Sequence, residues 1–231
     1  MARLFTEQFA FSKGDSVVVI GLGRFGGAVA NSLMQLGHDV MGIDRDPEPV
    51  HEWADLLTHA VQADSTNAMT MRQLGVADFS HAIVGIGGDL AASLMTVMAL
   101  TELGTPDIWL KAMTPEHGKI AERIGAHHVV YPEADMGERV AHLISGRMMD
   151  YIEFDDGFAI AKIQAPPATH DLSLAESLVR ERFGVTVVGI KRAHEDFQHG
   201  KPSSVVLPGD LLIVSGPTKK VELFAASGRK R

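Results

Sequence analysis

The sequence predicts an α/β chain in two parts: a doubly wound parallel sheet, then a smaller α+β unit. Three observations carry this. Over the first ~135 residues, short apolar strands alternate with amphipathic helical segments, an order that builds a parallel sheet with helices on both faces. The run Val17-Val18-Val19-Ile20, a short buried strand, leads directly into Gly21-Leu22-Gly23-Arg24-Phe25-Gly26 and a helical pattern. From Tyr151 onward the rhythm changes to hairpin-like strands.

Taken in order, strands are predicted over residues 16–20, 39–43, 59–62, 81–85, 107–110 and 127–130. Helices are predicted over 25–36, 49–56, 68–75, 90–103 and 116–124. Gly37, Gly75, Gly104 and Gly125 stand where left-handed helix C-caps belong. A further helix over 136–149 carries Val140, Leu143, Ile144 and Met148 on one stripe. It either closes its own domain or serves as a crossover or dimerisation helix. Residues 151–154 and 158–163 read as a hairpin around Asp155-Asp156-Gly157. Pro166-Pro167 breaks the chain, and a helix over 173–183 follows, capped by Asp171 or Ser173 and ended by Gly184. Strands over 185–192 and 210–216, a weaker one over 203–207, and a helix over 218–226 complete the chain. The expected organisation is a nucleotide-binding domain over 14–135, a crossover helix over 136–150 and an α+β domain over 151–231.

Composition bounds the function. The chain has 231 residues, 45% of them hydrophobic, enough to fill one large or two small cores. The absence of cysteine excludes disulfides, thiolate metal sites and cysteine nucleophiles. A net charge of −8 argues against a nucleic-acid partner, since the only basic cluster is Arg229-Lys230-Arg231. No run of 18 apolar residues is present to span a bilayer, and residues 1–13 lack the apolar core of a signal peptide. Those residues read as a short arm.

The glycine motif has separable tasks. Gly21 permits the tight turn, Gly23 lets backbone approach a phosphate, and Gly26 lets helix pack on strand. The phosphate would lie on free N–H groups at the helix N-terminus, where the dipole favours an anion. Arg24 adds a fixed positive charge that a pyrophosphate does not require and a triphosphate suits. Asp44 follows the second strand, 18 residues after Gly26, near the distance at which an acid accepts from ribose hydroxyls. It disfavours a 2′-phosphate, although Arg45 beside it could pair with one. A dinucleotide-type, Rossmann-like domain is the consequence.

At this point the residues resemble a known family, the cytosolic regulatory subunits of Ktr/Trk potassium transporters, built from an N-terminal and a C-terminal RCK domain. The resemblance rests on Gly21-Leu22-Gly23-Arg24-Phe25-Gly26-Gly27, Ile108-Trp109-Leu110-Lys111-Ala112, and Ile124-Gly125-Ala126 with Tyr131-Pro132-Glu133 and Asp135-Met136-Gly137. Val187-Val188-Gly189-Ile190-Lys191-Arg192 adds to it in the second unit. The single pair of units resembles the Ktr form. The resemblance implies binding of ATP, ADP or NAD(H) at the carboxyl ends of the strands. The matching positions are Gly21, Gly23, Arg24, Phe25 and Gly26 in the loop, and Asp44, Arg45 and Asp46 after the second strand. Asp64 and Ser65 match after the third, Ile86, Gly87 and Gly88 after the fourth, and Lys111, Ala112, Met113 and His117 after the fifth. It further implies that Arg24 reaches a γ-phosphate, including one held by a neighbouring subunit. Glu133 would help bind a divalent cation such as magnesium, a role suited to a hard oxygen ligand. The implied assembly is a homo-oligomer of dimers in an octameric ring, cytoplasmic and peripheral to the membrane, beneath a membrane-embedded potassium transporter subunit. Some members bind cyclic di-AMP in the second domain. Here Val187, Val188 and Gly189 replace isoleucines and alanine, and the loop 194–206 is longer, both of which count against that ligand.

Two rival classes use the same Rossmann-like domain. An NAD-dependent oxidoreductase needs an acid or base beside the nicotinamide. No Tyr-x-x-x-Lys pair is present, since Tyr131 and Tyr151 are followed four residues on by Asp135 and Asp155. An NADH-sensing transcription regulator would want a DNA-binding unit, and none is visible. The histidines offer no metal site: adjacent His127 and His128 point to opposite strand faces, and His194 and His199 have no third ligand nearby. Met95 and Met98 are expected as core or interface filling. The resemblance, with neither rival class supported by the residues, leads to the expectation of a gating subunit and not an enzyme.

Overall fold

The computed structural model describes residues 16–144, 149–154 and 157–227. The expected N-terminal arm, the turn residues Asp155 and Asp156, the side chains of Leu143 and Met148, and the terminal Arg229-Lys230-Arg231 lie outside the described residues. The chain divides into two compact units, one ending at Glu133 and the other beginning at Ala134.

In the first unit, β1 (Ser16–Ile20), β2 (Asp39–Asp44), β3 (His59–Gln62), β4 (His81–Val84), β5 (Ile108–Lys111) and β6 (His128–Val130) form one sheet. Its order is β3-β2-β1-β4-β5-β6, with every pair parallel. The helices between them are α1 (Arg24–Leu36), α2 (Pro47–Trp53), α3 (Ala68–Gln73), α4 (Leu90–Leu103) and α5 (Pro115–Arg123). A parallel strand covered on both faces needs apolar side chains at every position, which is why β1 reads as unbroken valine and isoleucine. Val18 and Ile20 join one core with Ile43, Val84 and Leu110. Val17 and Val19 join the other with Val40 and Leu33. The order reverses between β1 and β4, creating a crevice at the carboxyl ends of the strands.

The opposite ends of β4, β5 and β6 are tied by Asp107. Its carboxylate pairs with His81 Nδ1 at 2.9 Å and His128 Nε2 at 3.1 Å, and accepts the Trp109 indole N–H at 2.8 Å. His127 Nδ1 accepts the Ile108 N–H. These histidines stitch strands. Among the described residues, no group of three or more histidine, aspartate or glutamate side chains could hold a metal.

The second unit contains α6 (Pro132–Ile144), whose first residues precede the division, and β7 (Asp150–Phe154), β8 (Phe158–Gln164) and β9 (Leu172–Ser173). It continues with α7 (Leu174–Ser177), α8 (Val179–Phe183), β10 (Thr186–Lys191), β11 (Gln198–His199), β12 (Val205–Val206), β13 (Leu211–Pro217) and α9 (Thr218–Ala226). A five-stranded sheet runs β11-β10-β13-β8-β7, and β12 pairs with β9. All these pairs are antiparallel. Ile163, Leu212, Val214, Val221 and Phe224 form its core.

Several elements differ from expectation, each for a local reason. Helix α2 begins at Pro47, because proline at N1 suits a missing N–H and a fixed φ. Helix α6 begins at Pro132 rather than 136 for the same reason. The helix expected over 173–183 is broken at Leu178, which adopts a left-handed φ of 48°. Ser173 closes a capping box with Glu176, selecting it over Asp171 as the cap. The weak strand over 203–207 shortens to β12, and the loop 194–206 also contributes β11.

Candidate nucleotide-binding cleft

The glycine loop is built as its spacing demands. Gly21 has φ +88°, and its N–H donates to the Ile43 carbonyl at 2.8 Å. A Cβ on Gly26 would lie 1.8 Å from the Gly21 carbonyl oxygen, so α1 reaches the strand end only because that position is glycine. Gly23 and Gly88 differ from these. Neither has a left-handed φ, and a Cβ on either would meet no described atom within 4 Å. Protein packing does not ask for glycine at these two positions, and both face a cleft.

That cleft has a volume of about 580 Å³. Its walls include Gly21, Gly23, Asp44, Arg45, Asp46, Asp64, Ser65, Ile86, Gly87 and Gly88. The Asp44 carboxylate is locked by backbone: Oδ2 accepts the Leu22 N–H at 2.7 Å, and Oδ1 accepts the Asp46 N–H at 3.0 Å. It therefore fixes the glycine loop against β2 at the wall of the cleft. Asp64 Oδ1 accepts both the hydroxyl and the N–H of Thr66, at 2.7 and 3.0 Å, which holds its carboxyl below the usual range. Ser65 is buried through a 2.8 Å hydroxyl pair with Thr96. Asp89 caps α4 by accepting the Ala92 N–H, which, with nearby Arg45, also lowers its pKa.

A second depression of about 470 Å³ adjoins the first, sharing Gly23, Gly85, Gly87 and Gly88. Arg24, Phe25, Lys111, Met113 and Glu133 complete it. Lys111 Nζ lies 2.6 Å from Glu133 Oε1 and 5.7 Å from the centre of the Phe25 ring. The Lys111 side chain is 13% exposed and that of Glu133 68%, so the lysine is the fixed partner. The Lys111 hydrogen bond, with a smaller pull from Arg24, holds the Glu133 carboxyl below the ordinary glutamate range. Two cations facing one carboxylate suit a polyanion.

The structure thus brings together all but three of the residues singled out by sequence. Gly26, Ala112 and His117 line neither depression. Gly26 packs beneath the loop, and Ala112 is buried in the core. His117 is 2% exposed, with Nδ1 accepting the Met113 N–H at 3.3 Å. It shapes the turn after β5 from below. Burial lowers its pKa, and Nε2 has no hydrogen-bond partner among the described residues. Sequence reasoning missed Thr66, Asp89, Ala91 and Ala92 in the larger cleft. Asp89 had a readable signal as the residue before the apolar helix 90–103. Met95 lines the cleft, and both Met95 and Met98 are about half exposed instead of filling the core.

In the second unit, Gly189 has a local explanation. A Cβ there would fall 2.1 Å from the Phe197 ring, brought over β10 by β11. The wall thinned by the small residue is covered by the chain's own loop. Arg192 is retained by a two-pronged pair with buried Asp210, both contacts at 2.9 Å.

A glycine turn opening a helix at the carboxyl end of a parallel sheet, with an acid after β2, defines a Rossmann-type nucleotide-binding domain. Here it is followed by a small antiparallel unit. Residues 17–132 match the TrkA-N domain and residues 158–227 the TrkA-C domain. The chain belongs to this family of Ktr and Trk system potassium uptake proteins. It is 37% identical over 207 residues to Ktr system potassium uptake protein C of Bacillus subtilis, covering 89% of this chain and 94% of that one. It is 34% identical over 229 residues to Ktr system potassium uptake protein A of the same organism, covering 99% and 100%. The crystal structure of the GsuK RCK domain shares the fold, with TM-score 0.53 and 22% identity over 95% of this chain. This chain spans 47% of that longer one.

Proposed function

We propose that this chain is a nucleotide-binding regulatory subunit that gates a membrane potassium transporter in response to ATP and ADP, and that it is not an enzyme. Its relatives are named as potassium uptake proteins over nearly their whole length. Among the described residues, no helix is long and apolar enough to cross a membrane. Membrane attachment would come through a pore-forming partner, with this chain on the cytoplasmic face as a homo-oligomer, an octameric ring in the Ktr manner.

The observation that carries the reading is the pairing of the two depressions. The larger takes an adenosine, with Asp44 toward the ribose. The smaller presents Arg24 and Lys111 to the phosphates. Only a ligand with a third phosphate extends far enough to recruit Arg24 fully, and a ligand shifts a conformational equilibrium only through such differential contact. Glu133 supplies one hard oxygen for a divalent cation, with phosphate oxygens and water completing the shell. The cation would offset phosphate charge.

The test is calorimetric titration of the nucleotide-free full chain with ATP, ADP, NAD and NADH in the presence of magnesium. Micromolar binding of ATP and ADP with distinct heats supports the gating reading. Tight NADH binding with negligible ATP binding would sink it and favour a redox sensor or oxidoreductase.

A further inference from the structure

Arg45 stands where an arginine can meet a ribose 2′-phosphate, directly after Asp44 at the carboxyl end of β2. It is not free to do so. Its Nη1 lies 3.4 Å from Oδ2 of Asp89, 44 residues away at the N-cap of α4. Its Nε lies 3.9 Å from Asp46 Oδ1. Both Arg45 and Asp89 line the larger cleft. Asp44, Asp46, Asp64 and Asp89 all line this cleft with Arg45, and Asp46 and Asp89 contact its guanidinium.

The four acids are not equivalent. Asp44 is bound through both oxygens to backbone N–H groups, and Asp64 is turned onto Thr66. Asp46 makes only the longer contact with Arg45. Asp89 divides its carboxylate: Oδ1 takes the Ala92 N–H at 3.0 Å, and Oδ2 faces Arg45. Its capping task needs only one neutral oxygen, because asparagine caps a helix as well as aspartate does. The capping hydrogen bond therefore does not require the charge on Asp89.

We propose that Asp89 is a specificity-determining residue: by occupying Arg45 it reserves the cleft for nucleotides with a free ribose 2′-hydroxyl and rejects those carrying a 2′-phosphate. The inference rests on the nucleotide-cleft reading above. Discrimination of this kind needs a repulsive element as well as an attractive one, and here one carboxylate supplies both effects. It repels the 2′-phosphate and withholds the cation that would have paired with it.

The probes are 5′-AMP and adenosine 2′,5′-bisphosphate, which differ only by the 2′-phosphate, titrated calorimetrically into the full-length protein. The wild type should favour 5′-AMP. In Asp89→Asn, which keeps the cap, the preference should fall by about tenfold, as one charge is removed and one guanidinium released. In Asp89→Asn combined with Arg45→Gln, the preference should return toward the wild-type ratio. Asp89→Ser provides the same test with a hydroxyl cap if the asparagine variant folds poorly. An unchanged ratio in Asp89→Asn and Asp89→Ser would overturn the proposal, as would a shift left undiminished when Arg45 is also replaced. Equal binding of both probes by the wild type overturns it too, while leaving the cleft reading intact. Binding of neither probe overturns the cleft reading itself.

Discussion

Gly26 and Gly88 are the same residue chosen for opposite reasons. Gly26 exists for the protein: a methyl group there would strike the Gly21 carbonyl. Gly26→Ala should cost about 1–3 kcal/mol, read as a lower urea midpoint. Gly88 has no such packing requirement, since a Cβ there meets nothing described within 4 Å, and on the proposed reading it leaves room for the nucleotide. Gly88→Ala should keep stability within about 0.5 kcal/mol while weakening ADP binding by calorimetry. Arg24→Ala should abolish the difference between ATP and ADP, leaving ADP affinity the less affected. If both nucleotides still acted on the assembly as they do on the wild type, the γ-phosphate mechanism would be wrong. At this scale the placement of the glycine turn, Arg24 and Asp44 at the carboxyl end of the sheet was readable, because strand, glycine spacing and the acid after the second strand fix it. The Arg45–Asp89 and Lys111–Glu133 pairs were not readable as pairs. Each joins residues far apart in sequence, and only the parallel sheet brings their strand ends together.

Among the elements, the central strands of the first unit were legible as short apolar runs, with β1 buried at four of its five positions, and α1 and α5 by a one-sided apolar stripe. Starts at Pro47 and Pro132 were available in the sequence as N1 prolines and simply outweighed the periodicity. The break at Leu178 carried no such signal: an exposed leucine within an amphipathic stretch adopts φ 48°, and Val179 after it is buried in the core. Asparagine tolerates that conformation, so Leu178→Asn should be neutral or stabilising by up to about 1 kcal/mol, measured by thermal melting. Helix α5 carries one contribution to the pH dependence. His117 is neutral when folded, since burial depresses its pKa below 6.5 while Nδ1 accepts a hydrogen bond. Below pH 6.5 the unfolded chain binds the proton and the folded chain does not. Stability is therefore complete above that pH and is lost as pH falls toward the folded value, at no more than about 1.4 kcal/mol per unit. His117→Asn retains an acceptor and cannot titrate. Its urea midpoints between pH 7.5 and 5.5 should fall less than those of the wild type.

On the scale of the whole molecule, the two units have separate cores and separate ionic anchors. Asp210 has a side chain only 2% exposed, and the Arg192 guanidinium holds its carboxyl well below the usual aspartate range. Asp210→Asn should lower the melting of the second unit by several degrees, because it removes the charged two-pronged partner of Arg192 and leaves only the longer Glu195 contact. ADP should raise the melting of the first unit in the same variant. A single transition shifted equally by both changes would show that the units unfold as one. The adjoining depressions carry a further consequence. Four carboxylates ring the larger, and Arg24 and Lys111 face the smaller. The crevice is thus electrically polar along its length, like a socket that accepts its plug one way round. On the proposed reading, this polarity would favour a nucleotide approaching with its phosphates toward Arg24 and Lys111, and rising ionic strength would slow its association.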